Sequence, residues 1–448
     1  MGSLLLLLAG PAFIAACTVL MVLRVEPVAS FFYPCAWYGL IFTFDQFIRR
    51  REGRSLVTRC GWGFLLVLLW SAVTWYCFEG LNVRLQNWYY VFVTDDPVAR
   101  PVGSFMSFAT VFPGIFWIDH YLGLRGVAAQ VRGPQVRVSP QAQRRLQVAG
   151  LACLALPMAW PTVFFPLVWL ALALLLAPVN YRRTGDGLLH QLSRGEYGPL
   201  VRLLLAGLIA GFFWESLNFW ARAKWIYTVP LFDELKLFEM PVAGFLGFAP
   251  FAVECAVVYR LLVWQGLAPG FGQFADGPRA HAPLGLRVTE VAVALSLAIA
   301  VDRFGVERVT IASVTPRVDE VRPFDAQTRA QLRRAGVRYL TDLEGWHGDA
   351  TWRRLEALMP ADRFARLRRL TQLYLHQGIG VRYGNLLVEA GIDSLGEMAR
   401  TSADELLDRL RFAAEGERAP TLSQVRVWVR RAPKGARGAE SGRPAASG

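Results

Sequence analysis

Histidine is scarce in this sequence, with only five in 448 residues, and none falls in an HxxxH or HxxHH cluster. Such clusters hold the iron ions of membrane-bound desaturases and hydroxylases, so their scatter argues against that chemistry. There is also no DDxxD motif for a diphosphate with magnesium, no Walker loop and no GxSxG. The sequence therefore predicts no metal and no cofactor, and it leaves open whether the protein is an enzyme.

The cysteines likewise give no indication of disulfide or metal cross-links. All six cysteines lie in or beside apolar segments, and no two have CxxC spacing, so neither a disulfide framework nor a structural zinc site is expected. A lipobox-like Ile-Ala-Ala-Cys ends at Cys17, but no basic region precedes it and the apolar run continues to about Leu23. We expect a retained first membrane span rather than a cleaved signal.

Long apolar runs are what the sequence has in abundance. Hydrophobic residues make up 54% of the chain and aromatic residues 13%, which is typical of a membrane protein. Eight runs are apolar enough to be read as membrane spans. They cover residues 3–23, 31–48, 61–79, 102–123, 146–160, 164–180, 200–219 and 241–263.

Charge patterning predicts the orientation of these spans. The loops 49–59, 124–147 and 180–198 are rich in arginine, whereas acidic residues dilute the basic ones in loops 80–101 and 221–240. The positive-inside rule places the N-terminus and the three arginine-rich loops in the cytoplasm. Much of the net charge of +13 is therefore interpreted as setting topology rather than as binding nucleic acid.

Four short sequences recur in the same order at a spacing of roughly 130 to 140 residues. The matched pairs are FFYPCAW with VFFPLVW, RREGRSLV with RRTGDGLL, FEGLN with WESLN, and PVGSFMSFA with PVAGFLGFA. We therefore predict two four-span repeats, residues 1–125 and 146–265, joined by a cytoplasmic loop at 126–145. Because four is even, both repeats enter the membrane from the same side, related by a pseudo-twofold axis along its normal.

Each predicted repeat carries an acid and an amide three residues apart, which places both on one helix face. These are Glu79 with Asn82 and Glu215 with Asn218, followed by Trp88 and Tyr90 and by Trp225 and Tyr227. In one interpretation the acids reach the membrane surface, the asparagines end the helices and the aromatic residues form an interfacial belt. In the other, a polar pocket between the repeats binds an apolar or lipid-like molecule. Its predicted lining, besides Glu254, is Glu79, Asn82, Trp88, Glu215, Asn218, Trp225 and Tyr227.

Glu254 favours the pocket, because it lies about thirteen residues into its span, where reaching water is hard. Together with Glu79 and Glu215 it is a candidate catalytic acid, and its counterpart in the first repeat is Gly114. Asp45 and Asp119 sit near span ends beside Arg49 and His120, and we expect them to pair with such neighbours.

The acid at a span end, the following W-x-Y and the proline-started span EMPVAGFLGF resemble the order found in membrane-embedded lycopene cyclases, which also occur as duplicated units. The resemblance implies an isoprenoid substrate and ring closure started by carboxylates. The paired acids that follow the proline in that family are missing here, and Glu239 precedes Pro241 instead.

Residues 266–315 form a linker in which 286–304 either cross the membrane a ninth time or lie at its surface, because the uncharged core is short. From residue 316 the composition becomes arginine-rich and amphipathic, which indicates a separate domain at 316–415. We expect a basic disordered tail at 416–448.

Within this domain, GIGVRYGNLL followed by AGI and a late leucine resembles an uncharacterised bacterial helix-hairpin-helix family, over roughly residues 325–411. In DNA-binding members the glycine turn offers backbone N–H groups to a phosphate, and the matching positions are Gly378, Gly380 and Arg382. Acids interleave with the arginines of the hairpins, so docking of a protein partner is favoured over nucleic acid.

The sequence thus predicts an all-α protein of the bacterial cytoplasmic membrane with a small all-α C-terminal domain. Three functions remain open: binding, transport or scaffolding of an apolar ligand, isoprenoid or lipid chemistry, and tethering through the C-terminal domain.

Overall fold

The structure is a computed structural model that describes residues 2–94, 96–229, 235–275, 280, 283–312, 316–376, 378–416 and 419–440. The chain divides into two compact units. The first, called the membrane unit here, comprises Met1–Asn87, Pro97–Arg222 and Val229–Val309. The second, called the C-terminal unit, comprises Trp88–Asp96, Ala223–Thr228 and Thr310–Gly448.

The membrane unit is built from helices, as its long apolar runs predict. They are α1 Gly2–Val22, α2 Val28–Glu52, α3 Leu56–Cys60, α4 Phe64–Leu85, α5 Ala99–Phe108, α6 Val111–Leu124, α7 Pro140–Ala159, α8 Pro161–Phe164, α9 Val168–Arg183, α10 Leu188–Ser193, α11 Gly198–Trp220, α12 Phe248–Trp264 and α13 Leu284–Phe304. The all-α class predicted from the sequence is confirmed.

Seven helical stretches among the described residues are long and apolar enough to cross a membrane. They are Leu5–Val22, Leu56–Leu85, Ala99–Leu124, Pro161–Arg183, Gly198–Trp220, Val242–Trp264 and Leu284–Val309. Six coincide with predicted spans, and the seventh is the segment whose crossing the sequence left open. The predicted spans 31–48 and 146–160 are also helical, as α2 with 25 residues and α7 with 20, but both are more polar.

Close backbone contacts hold α1 against α2 and α7 against α9. A Cβ atom on Gly10 of α1 would lie 2.8 Å from the Gly39 carbonyl oxygen of α2 and would also meet Thr43. A Cβ atom on Gly150 of α7 would lie 2.7 Å from Leu175 and 3.1 Å from the carbonyl oxygen of Ala171 in α9. Small residues let membrane helices approach closely, and both helix pairs use this device.

The strands are short: β1 Trp88–Val93, β2 Lys224–Tyr227, β3 Lys236–Leu237, β4 Met240–Pro241 and β5 Thr310–Ala312. In the C-terminal unit, β1 is the central strand of a sheet with the order β2-β1-β5. It pairs antiparallel with β2 and parallel with β5. Two segments that follow membrane helices therefore belong to the same sheet as the chain that follows α13.

Seven helices complete the C-terminal unit: α14 Ala326–Arg334, α15 Gly345–Leu358, α16 Ala361–Leu375, α17 Gly380–Glu389, α18 Leu395–Arg400, α19 Ala403–Ala413 and α20 Leu422–Glu440. The turns after α14 and α17 share one conformation. Gly336 and Gly391 both have φ +83, and the residue after each donates its N–H five residues back, to Leu332 and to Leu387.

The prediction of a disordered tail from residue 416 is wrong over Leu422–Glu440, which form α20. Its apolar residues Val425, Trp428 and Ala432 recur at helical spacing and are fully buried. Because the segment is rich in arginine, its amphipathic pattern was not recognised from the sequence. Residues 441–448 of the predicted tail lie outside the described residues.

Candidate functional site

Both acid and amide pairs are buried inside the membrane unit. The exposed fraction is 1% for Glu79 and 0% for Asn82 on α4, and 0% for both Glu215 and Asn218 on α11. The interpretation in which the acids extend to the membrane surface does not fit this burial. One part of it does hold, since Asn82 Oδ1 accepts the backbone N–H of Asn87 at 2.9 Å and so closes the end of α4.

Glu79 is held by an indole on its own helix. Trp75 Nε1 lies one turn earlier on α4 and donates to Glu79 Oε1 at 2.8 Å. The Trp75 ring also lies 5.0 Å from that of Trp214, which precedes Glu215 on α11, and 5.8 Å from that of Phe251 on α12. The first carboxylate therefore borders a cluster of aromatic rings contributed by three helices.

Two further ring contacts join α2 to α11 and α9 to α4. Trp37 of α2 meets Trp214 of α11 edge-to-face with ring centroids 6.2 Å apart. Trp169 of α9 stacks on Phe78 of α4 at 5.1 Å. In the matched sequences Trp37 corresponds to Trp169 and Phe78 to Trp214, so each contact is the counterpart of the other.

Glu254 lies in a different bonding environment. It is 1% exposed, and its Oε1 accepts the backbone N–H of Leu172 in α9 at 2.7 Å. Its Oε2 is buried with no hydrogen-bond partner among the described residues. The bond joins α12 to α9, whereas at the counterpart position a Cβ on Gly114 would lie 2.8 Å from the Trp37 ring. A side chain at Gly114 would therefore collide with the Trp37 ring as the helices are packed.

The aromatic residues that follow the two acids belong to the C-terminal unit. Trp88 lies opposite Tyr227, and Tyr90 lies opposite Trp225, in the antiparallel pair of β1 and β2. Trp88 is buried, while Trp225 and Tyr227 are partly buried. The eight residues predicted to line one pocket are thus divided between two units, five in the membrane unit and three in the sheet. A common pocket stays a prediction.

The partners of Asp119 and Asp45 differ from the neighbours that the sequence led us to expect. Asp119 of α6 binds Arg202 of α11 through Nε at 2.8 Å, while His120 bonds to Glu52 at 3.1 Å. Asp45 accepts the Trp117 indole N–H at 2.9 Å and the Val57 backbone N–H at 3.2 Å. These partners are distant in sequence, so spacing gave no signal for them. The one available sign was Arg202 itself, a cation near the start of an apolar helix.

In the C-terminal unit, the glycine turn proposed for phosphate is covered by side chains. Gly378 and Gly380 have φ +86 and +63 and lead into α17. A Cβ on Gly378 would lie 2.9 Å from both Trp428 Nε1 and Tyr89 Oη. Arg382 is exposed, with its guanidinium carbon 5.9 Å from the Tyr383 ring centre. The turn is therefore an internal contact rather than an open phosphate site.

His376 precedes this turn and is electrically neutral at physiological pH. Burial lowers the pKa of its imidazole to about 4, and the nearby Arg431 cation acts in the same direction. The ring hydrogen-bonds the backbone of Trp428, and Nε2 has no hydrogen-bond partner within the described part of the chain. His376 is thus a potential pH-sensitive point in this unit.

The described residues contain no group of three or more His, Cys, Asp or Glu that could hold a metal ion. All six cysteines are free thiols.

The fold and the apolar helices define an all-α, multi-spanning membrane protein with a helical C-terminal domain. Residues 322–434 match a family described as a domain of unknown function, DUF4332. The match begins inside the domain expected from the sequence and extends through Trp428 of α20. No curated protein and no solved structure matches the chain.

Proposed function

We propose that this protein resides in the bacterial cytoplasmic membrane and binds an apolar, lipid-like ligand in its membrane unit. The observation that carries the proposal is the burial of Glu79 and Glu215, at 1% and 0% exposure, on two apolar helices. An ionisable side chain inside a membrane protein costs about 2.5 to 3.5 kcal/mol, so its retention points to use. Beside aromatic rings, a carboxyl group can orient the one polar end of an otherwise apolar molecule.

Two four-span repeats related by a pseudo-twofold axis are part of this proposal. The contacts at Gly10 and Gly150 support it, because extending the FFYPCAW match without gaps pairs Thr43 with Leu175 and Gly39 with Ala171. The reciprocal ring contacts of Trp37 and Trp169 across the halves support it independently. In such duplicated proteins the binding site typically lies between the repeats.

The sheet of the C-terminal unit supports a proposal for which helix ends lie on the same side of the membrane. β1 begins three residues after α4, β2 four residues after α11, and β5 shortly after α13. Three extended residues reach about 10 Å, much less than a bilayer core of about 30 Å. The C-terminal ends of α4, α11 and α13 therefore share one side of the membrane.

Parity then supports a membrane crossing by each of the two helices in question, α7 and α13. From α4 to α11 the chain returns to the same side only if α7 crosses in addition to α5–α6, α9 and α11. From α11 to β5 it returns only if α13 crosses with α12. We infer nine crossings, counting α2 alongside α1, and a C-terminal domain outside the cytoplasm.

A non-cytoplasmic domain favours a protein partner over nucleic acid. The covered turn supports the same choice, because the Cβ position of Gly378 lies 2.9 Å from both Trp428 Nε1 and Tyr89 Oη, which leaves little room for a phosphate beside this glycine.

Glu79→Gln and Glu215→Gln, singly and together, test the ligand proposal. Apolar molecules that copurify with the full chain in mild detergent are identified by mass spectrometry, with the exposed Glu26→Gln as the matched control. We expect loss of one class of molecule in the double variant and its retention in the control. Unchanged copurified molecules in a folded double variant would exclude the proposed role of these acids.

A further inference from the structure

A groove on the membrane unit opens beside α13. It has a volume of about 310 Å³ and lies between α4, α5 and α13. Its walls are apolar over most of their length, with Val73, Phe105, Leu295 and Ile299 among the lining residues. The polar lining residues are Tyr76, Asp302 and Arg303.

The polar residues lie together at one end of the groove. Tyr76 Oη donates to Asp302 Oδ1 at 3.1 Å, and Arg303 follows Asp302 at the end of α13. Leu295 lies two helical turns before Asp302, which is about 10 Å along the axis. The groove thus runs from the end of the helix, where a span leaves the hydrocarbon, towards the bilayer interior.

The charges around the polar end balance. Arg100, next to the groove residue Pro101, binds both carboxylate oxygens of Glu307 at 2.8 Å. Together with Asp302 and Arg303, this makes two acids and two cations at one end. An anionic headgroup would need a surplus of cations, whereas a headgroup with one ammonium and one phosphate matches a neutral, mixed set.

The rest of α13 is open to the bilayer. Among the residues of α13 only Ala298 is buried, so most of the helix surface is free of protein contacts and accessible to lipid. Ala298, at 7% exposure, faces the groove, whereas its neighbour Leu297, at 62%, faces outwards. An acyl chain that enters the groove would contact Ala298 and not Leu297.

We propose that this groove binds a zwitterionic phospholipid carrying a primary ammonium, with one acyl chain along α4, α5 and α13. The ammonium lies at Asp302 and the phosphate at Arg303, while Tyr76 positions the Asp302 carboxylate. Neither Glu79 nor Glu215 lines this groove, and the proposal does not rest on the function proposed above.

The full chain is reconstituted in nanodiscs of equimolar phosphatidylethanolamine and phosphatidylglycerol, extracted gently, and analysed by native mass spectrometry. We expect wild type to retain phosphatidylethanolamine about tenfold over phosphatidylglycerol, equivalent to about 1.4 kcal/mol. Ala298→Trp fills the groove and abolishes retention, whereas Leu297→Trp retains lipid as wild type does.

Asp302→Asn keeps a hydrogen-bond acceptor for Tyr76 but loses the charge, so it provides a second variant that preserves packing. We expect it to hold both lipids to similar extents. Equal retention of the two lipids by wild type, or undiminished selectivity in a folded Asp302→Asn protein, would overturn the proposal. So would lipid retention by Ala298→Trp at the level of Leu297→Trp.

Discussion

Tyr89 of β1 lies directly opposite Ile226 of β2, and each is the middle residue of a W-x-Y sequence that follows a buried acid. On either side of this pair Trp88 faces Tyr227 and Tyr90 faces Trp225. An antiparallel pair has a local twofold axis, and here that axis passes between equivalent residues of the two proposed repeats. Within this strand pair, the residues that recur after the two acids are therefore related by a local twofold axis.

The proposed topology predicts where the C-terminus lies. A reporter that is active only outside the cytoplasm, fused after residue 448, should be active, because α13 is the ninth crossing. The same reporter fused after residue 283, ahead of α13, should be inactive, while a cytoplasmic fluorescent reporter gives the reverse pattern. Activity on the same side for both fusions would rule out a crossing by α13.

Gly10→Ala and Gly150→Ala should each destabilise the protein by about 2 kcal/mol, because the added methyl group collides with the facing helix. Thermal unfolding in detergent measures this as a lower Tm. Gly285→Ala is the matched control, since nothing lies within 4 Å of its Cβ position at the start of α13. If both substitutions left Tm at the control value, the close packing of these helix pairs would be refuted.

Gly378→Ala should destabilise the C-terminal unit more than Gly391→Ala. Both positions require positive φ, which costs about 1 to 2 kcal/mol for alanine. Only at Gly378 does the methyl group also meet Trp428 and Tyr89, whereas nothing lies near the Cβ position of Gly391. Unfolding curves followed by tryptophan fluorescence compare the two, and equal losses would argue against the covered turn.

His376 should make stability depend on pH. Its pKa is lowered to about 4 in the folded protein, below the unfolded value of about 6.5, so protonation favours the unfolded chain. The stabilisation is fully present above about pH 6.5 and falls as pH decreases towards 4, by about 3 kcal/mol.

Denaturant titrations of wild type between pH 7 and 4 measure this slope. His376→Asn, which keeps an N–H donor near the Trp428 carbonyl, provides the comparison. We expect the variant to be less stable than wild type at pH 7 and to have a flatter profile from pH 6.5 to 4. Parallel pH profiles for the two proteins would contradict the role of this imidazole.

The helices could be predicted from the sequence because apolar length is a local property, and predicted spans such as 200–219 and 241–263 match helical stretches of the structure. The sheet could not, since β1 finds its partners more than a hundred residues away, and tryptophan and tyrosine are common both in strands and at membrane surfaces. The surroundings of Glu79 likewise depend on other helices, because the Trp75 ring that donates to it packs against Trp214 and Phe251. The sequence predicts a neighbouring ion-pair partner for Asp119, whereas its partner in the structure, Arg202, is remote in sequence.

The order of the strands also constrains how the chain is made. β1 is synthesised early and β2 later, yet β5 comes only after α13, so the central strand keeps an unpaired edge until the ribosome has passed residue 312. The sheet of the C-terminal unit can therefore be completed only after α13 and β5 have been synthesised. The three-stranded sheet can form only late in synthesis, because β5, which pairs with the second edge of β1, is the last of its strands to be made.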